Sequence, residues 1–220
     1  MSRFAGCVRR RRKPPPGRVT PSAPPSEAKP DEAPGGIDWE PLAAINPDVV
    51  GWIAAEGTEI DYPVVQGDNN DFYLDHLFTG ERNKLGSIFM DCRNDAGFAD
   101  KNTILYGHNM KDGSMFSSLT KYKDQRYYDR HPAMLLHTPE GSYRIELFAG
   151  IVVDGDDESV RMTFRDDDDF LDYVGSLRQA STFVSDTAVG ADDRIVTLCT
   201  CSYEFNNARF ALFGKLTPLA

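Results

Sequence analysis

Two thiols lie two residues apart near the end of the chain, Cys199 and Cys201, and a guanidinium, Arg209, follows eight residues after the second. The segment Arg194 to Cys201 reads Arg-Ile-Val-Thr-Leu-Cys-Thr-Cys, a β-branched run that predicts a strand. Side chains alternate along a strand, so Thr197, Cys199 and Cys201 share one face while Leu198 and Thr200 take the other. Cys201 stands at the strand end, where Ser202-Tyr203-Glu204 opens a loop that closes at Arg209. A nucleophile needs such a position, held rigidly from behind and open in front. If the two strands are neighbours, Arg209 returns beside Cys201. A guanidinium favours a nearby thiolate, and it can also stabilise the oxyanion of a tetrahedral intermediate. The plain alternative is a buried structural cysteine and a surface arginine.

A thiol nucleophile calls for a base, and the chain has four histidines. His131 precedes Pro132 and reads as a turn residue. His137 falls in a β-type run and His76 in an amphipathic stretch with Leu74, Leu77 and Phe78, so all three read as structural. His108 differs. It follows the β-rich run Asn102 to Tyr106, so a strand end again delivers a titratable group into a loop, and Gly107 allows close backbone approach.

The elements that must hold these groups are mostly strands. Short β-type runs span Tyr62 to Val65, Ser87 to Cys92, Thr103 to Tyr106, Met134 to Thr138, Tyr143 to Val153, Arg194 to Cys201 and Arg209 to Leu216. Turn signals separate them, among them Asp112-Gly113, Glu140-Gly141 and Asp154-Gly155. This pattern predicts a mainly β fold, a closed barrel or sandwich. Helices are expected at two places. Asp38 can cap a helix through Trp39, Leu42, Ala43 and Ile45, and Asn46-Pro47-Asp48 a second turn through Val49, Val50, Trp52 and Ile53. Between Asp166 and Ala180, Phe170, Leu171, Val174 and Leu177 recur at helical spacing behind the acidic run Asp166 to Asp169, which suits a helix N-terminus. A calcium site there lacks the EF-hand spacing.

Charge divides the chain. The net charge is -10, yet residues 1–36 carry eight Lys or Arg against three Asp or Glu, so a basic tail precedes a strongly acidic body. An acidic body of this kind excludes nucleic acid as a partner for the whole chain. Residues 1–36 are rich in Pro, Gly, Ser and charge and are expected to form a disordered linker, with the folded domain over 37–220. No run of 18 apolar residues predicts a transmembrane helix, and Pro14, Pro15 and Pro16 rather than an apolar stretch follow the basic run Arg9 to Lys13. That basic run is expected to have flanked a membrane helix upstream of this sequence. The four cysteines are not spaced as a disulfide framework.

Three blocks now match one family. Thr197-Leu198-Cys199-Thr200-Cys201 with Arg209 downstream resembles the sortase signature. Asn102 to Met110, then Gly113-Ser114-Met115-Phe116, is similar to the histidine region of class B sortases, as are Asn46 to Ile53 and Asp61 to Gln66 in the first part of the domain. The resemblance covers residues 38 to 216. It implies an eight-stranded β-barrel with an N-terminal helical pair and a helix in the loop before the cysteine strand. It implies a cysteine transpeptidase without cofactor or metal. Cys201 would attack the carbonyl of a threonine in a sorting motif of a secreted protein, His108 would move the proton, and Arg209 would hold the substrate or oxyanion. The acceptor would be a peptidoglycan or pilin amine, and the location the extracytoplasmic face of the cell membrane and wall. Asn70 and Leu74, in a segment that resembles a groove-lining region, and Thr200 beside the nucleophile are the implied substrate-binding residues.

In one respect the chain departs from the class: Cys199 occupies a position that is usually serine. Ideal strand geometry holds i and i+2 side chains too far apart for an easy disulfide, so Cys199 is expected to be a spectator thiol. The competing expectations are a cysteine hydrolase without an amine acceptor, and a thiol or metal module built on Cys92, Cys199, Cys201 and His108. The latter has a Cys-x-Cys pair but no second pair at zinc spacing.

Overall fold

The computed structural model describes residues 36–155 and 160–219. The linker expected over residues 1–36 therefore lies outside the described residues, apart from Gly36. Eight strands close into one barrel: β1 (Val49–Ala54), β2 (Asp61–Val65), β3 (Ile88–Met90), β4 (Asn102–Tyr106), β5 (Ala133–Thr138), β6 (Gly141–Asp154), β7 (Ile195–Cys201) and β8 (Ala208–Pro218). Their order around the barrel is β1-β2-β3-β4-β7-β8-β6-β5, with β5 returning to β1. Closure leaves no open sheet edge. Most neighbours are antiparallel, but β2 with β3 and β4 with β7 run parallel. A parallel pair needs a crossover, and the chain from β4 to β7 makes it by building β5, β6 and the helix α3 (Asp167–Ala180).

Two apolar layers hold the frame. Inside the barrel, Ile53, Val64, Ile88, Leu105, Leu136, Leu147, Val196, Leu198, Phe210 and Leu212 pack together. Outside it, α3 lays Phe170, Tyr173, Val174 and Leu177 onto Phe148, Ile195, Ala211 and Phe213. The helical spacing seen in the sequence produces this face. Asp166 caps the helix by accepting from the Asp169 N–H at 2.9 Å, and Asp167 to Asp169 occupy its first turn.

Among the described residues, the N-terminal helical pair is corrected to one helix, α1 (Trp39–Ile45). Asn46 stops it, and Val49 onward forms β1 instead of a second turn. The reason is tertiary. Gly51 to Ala54 pair with β2 on one side, Trp52 to Ala54 with β5 on the other, and Ile53 points into the barrel. That pairing outweighs the local Asn-Pro-Asp capping signal. A 3-10 helix at Ser117–Lys123 and a short helix α2 (Gln125–Arg130) connect β4 to β5.

Candidate active site

The last paired residues of β4 and β7 are Tyr106 and Cys199. Two residues beyond each lie His108 and Cys201, so parallel strands bring an imidazole and a thiol to the same end of the barrel. Hydrogen bonds stitch the two segments together there. Gly107 N–H donates to the Cys199 carbonyl at 3.1 Å, Thr200 Oγ1 donates to the Gly107 carbonyl at 2.7 Å, and Asn109 Nδ2 donates to the Cys201 carbonyl at 2.9 Å. A side chain at Gly107 would overlap Ile88 and the Phe116 ring, so the close approach expected from sequence is real. His108 is half-buried, and its Nε2 lies 2.6 Å from the Leu74 carbonyl. A carbonyl only accepts, so Nε2 carries the proton and Nδ1 is left as the basic nitrogen of the neutral ring.

Cys201 and Arg209 are direct partners in the antiparallel β7–β8 pair. Arg209 Nη1 donates to Cys201 Sγ at 2.8 Å, and the thiol is partly exposed. Cys199 lies on the same face yet is buried, with its thiol pushed up to about 12. Burial is the main cause; the Arg209 charge opposes it and the Cys201 neighbour adds to it. Two thiols of one strand face thus differ in exposure, and Cys201 is the one that accepts the Arg209 hydrogen bond. The loop after Cys201 is tied down as well. Ser202 N–H donates to the Ala208 carbonyl at 2.8 Å, and Lys123 Nζ donates to Ser202 Oγ at 2.8 Å. Lys123 also pairs with Glu204, whose carboxyl is held at about 2 by hydrogen bonds from Lys123 and then Ser202.

Next to these groups is a cavity of about 650 Å³. Tyr106, Cys199 and Arg209 line it from the barrel, Arg93 from the segment after β3, and residues 160–165 from the approach to α3. Of the residues singled out from sequence for the substrate, none lines this cavity. Asn70 is buried; its Nδ2 donates to Asp91 Oδ2 at 2.9 Å and its Oδ1 accepts from the Cys92 N–H at 2.8 Å. Leu74 is half-buried and meets His108 through its carbonyl. Thr200 is buried, with its hydroxyl on Gly107. Sequence reasoning missed Asn109 and Arg93. Asn109 stood inside the quoted histidine block, whereas nothing local marks Arg93. Among the described residues, no group of three or more His, Cys, Asp or Glu is gathered as a metal would need.

A closed barrel that brings a thiol, an imidazole and a guanidinium to one rim has the parts of a cysteine acyl-transfer enzyme. The family model described as "Sortase domain" matches residues 53–217, and the chain belongs to the sortase family. It is a cysteine transpeptidase of the class B type. Sortase B of Listeria monocytogenes is 42% identical over 177 residues, covering 80% of this chain and 72% of the relative. The Staphylococcus aureus sortase B–substrate complex superposes with a TM-score of 0.78 at 36% identity, covering 82% of this chain and 85% of that one. A structure of sortase B complexed with triglycine gives the same TM-score and identity, with 83% and 86% covered. Among the described residues, no helix is long and apolar enough to cross a membrane.

Proposed function

We propose that Cys201 is the nucleophile, His108 the proton carrier and Arg209 the stabilising cation of this transpeptidase, within a catalytic unit spanning residues 37–220. The donor is a sorting motif near the C-terminus of a secreted protein, cleaved after threonine. The acceptor is an amine of peptidoglycan or of a pilin subunit, and the reaction takes place on the extracytoplasmic face of the cell. A peptide donor suits the acidic body better than nucleic acid does.

Cys201 gives its thiol proton to His108 Nδ1 as its Sγ attacks the threonine carbonyl carbon, forming a C–S bond and a tetrahedral oxyanion. Arg209, 2.8 Å from Sγ, faces the charge that moves from sulfur to oxygen. Collapse breaks the C–N bond, and the leaving amine takes a proton from His108. The incoming amine then gives a proton back to His108 as it attacks the thioester, and the C–S bond breaks. The proton is exchanged at Nδ1, because Nε2 stays donated to the Leu74 carbonyl. A thioester retains much of the peptide bond's free energy, so amide formation needs no ATP. The segment around Asn70 and Leu74 and the buried Thr200 behind the nucleophile are assigned to substrate binding. Leu74 meets His108 through its carbonyl, Thr200 fixes the histidine loop, and Asn70 donates to Asp91, which holds the cavity-lining Arg93.

The observation that carries this function is the Arg209–Cys201 contact across paired strands, beside a histidine delivered by the neighbouring parallel strand. A peptide substrate and an amine acceptor fit the relatives' complexes, one described as a substrate complex and one with triglycine. The experiment is a donor-peptide library incubated with and without triglycine. Transpeptidation predicts a ligated product that replaces the hydrolysed one as triglycine rises. A product unaffected by triglycine would identify a hydrolase instead.

A further inference from the structure

The residue after the nucleophile, Ser202, is buried, and its N–H extends the β7–β8 ladder by donating to the Ala208 carbonyl at 2.8 Å. Alternation turns its side chain to the face opposite Cys201. There Lys123 Nζ donates to Ser202 Oγ at 2.8 Å, the hydroxyl donates to Glu204 Oε2, and Lys123 pairs with Glu204 directly. Lys123 is the last residue of the 3-10 helix Ser117–Lys123, and the start of that helix is fixed to the histidine loop. The Phe116 N–H donates to the His108 carbonyl at 2.9 Å, and Ser117 Oγ donates to the Met110 carbonyl at 2.7 Å. One ammonium thus joins the segment that carries His108 to the loop between Cys201 and Arg209. The mechanism above makes no use of it.

That loop, residues 202–207, leans toward the histidine. The Tyr203 hydroxyl comes within 3.5 Å of the Asn109 carbonyl, and Asn109 Nδ2 donates to the Cys201 carbonyl at 2.9 Å. None of residues 202–207 lines the cavity bounded by Arg93 and residues 160–165. Two molecules can resolve the thioester. An amine forms a C–N bond and water a C–O bond; either route breaks the C–S bond and passes one proton to His108. An amine needs a fixed approach, whereas water attacks from any open direction. A loop held against the neighbour of His108 narrows the directions open to water. The Lys123 and Glu204 side chains are 32% and 37% exposed, and an ion pair this open adds little to folding stability. Its effect is therefore read in the fate of the thioester rather than in the fold.

Building on the transpeptidase assignment, we propose that Lys123 is a positioning residue for the second half of the reaction. Through Ser202 and Glu204 it straps the loop after the nucleophile against the histidine loop, so that an amine rather than water resolves the acyl-enzyme. Lys123 and Glu204 act as one unit, because each loses its charged partner when the other is removed. A strap that merely kept more molecules folded would raise aminolysis and hydrolysis equally. A strap that shapes the approach to the thioester changes the ratio between them.

The test measures ligated against hydrolysed product at one fixed triglycine concentration, using the donor peptide that wild-type enzyme cleaves fastest in the library assay above. Lys123→Met should lower that ratio by about fivefold or more, with a denaturant midpoint close to wild type. Glu204→Ala, on the exposed loop, should lower it in the same direction, and it is the deciding variant if circular dichroism finds Lys123→Met unfolded. The double variant should fall no further than the worse single one, as expected for two residues of one unit. A wild-type ratio in the folded variants, even with slower total turnover, overturns the proposal, and so do losses that add in the double variant. If wild-type enzyme joins no triglycine at all, the transpeptidase assignment itself fails and takes the strap with it, an outcome separate from a ratio that the variants leave unmoved.

Discussion

Cys201 Sγ accepts a hydrogen bond from Arg209 Nη1 at 2.8 Å, and the two residues face each other as partners of adjacent antiparallel strands. The backbone ladder therefore places the two side chains next to each other on one face of the sheet, where the guanidinium reaches the thiol. Cys199, two residues earlier on the same face, has the same strand support but lies buried.

That difference predicts selective alkylation. Iodoacetamide at pH 8 should modify one site on the folded barrel, Cys201, because the Cys199 thiol stays protonated up to about 12. Peptide mapping checks this. Cys199→Ser should keep turnover within about threefold, while Cys201→Ala should lose about 10⁴-fold or more. The reverse pattern would move the nucleophile two residues.

The same burial has a pH signature. Ordinary cysteine ionises near 9, whereas folded Cys199 holds its proton to about 12. Between those values the unfolded chain binds fewer protons than the native one, so stability falls as pH rises. Burial also raises Tyr106, Tyr122 and Tyr173, which act in the same direction from pH 10 upward. Urea unfolding at pH 7, 9 and 10 should give a falling midpoint. Cys199→Ser should reduce the fall between 9 and 10, and an identical slope in that variant would refute the cause.

Gly107→Ala should injure both fold and activity. The added methyl meets Ile88 and Phe116, and the loop that carries His108 must shift. Over-packing of this kind costs about 1–3 kcal/mol. Turnover should fall by more than tenfold even where circular dichroism remains native, since near-ångström displacement of a proton carrier is enough for that. Wild-type turnover in a folded Gly107→Ala protein would contradict the role of the close approach.

Phe210→Ala probes the barrel interior. Phe210 is fully buried, beneath the Lys123 ammonium at 5.5 Å from the ring centre. Removing it should destabilise by about 3–5 kcal/mol, measured as a lower denaturant midpoint. Its strand neighbour Arg209 should keep its partner Cys201 only as long as the barrel holds.

Much of this architecture is legible in the sequence because strand and helix periods differ. Seven of the eight strands follow from β-branched runs punctuated by Gly, Pro and Asp, and α3 from its 3.6-residue spacing and acidic cap. The eighth, β1, carried a local helix-capping signal and became a strand only through pairing with β2 and β5, which is information held elsewhere in the chain. Cys201 and Arg209 could be joined from sequence because they sit on consecutive strands. His108 needed the β4–β7 crossover, and only motif resemblance could supply it. The Asp91–Arg93–Tyr106 cluster was out of reach. It forms where the segment after β3 folds over β4, and neither segment alone signals a groove.

The most direct measurement is the mass of the enzyme caught in mid-reaction. Wild-type protein mixed with a cleavable donor peptide and acid-quenched within seconds should gain the mass of the acyl fragment, mapped to Cys201 and released by hydroxylamine. His108→Ala and Arg209→Ala should accumulate far less of it while keeping native circular dichroism. An acyl group on another residue, or full acylation rates in both variants, would contradict the account.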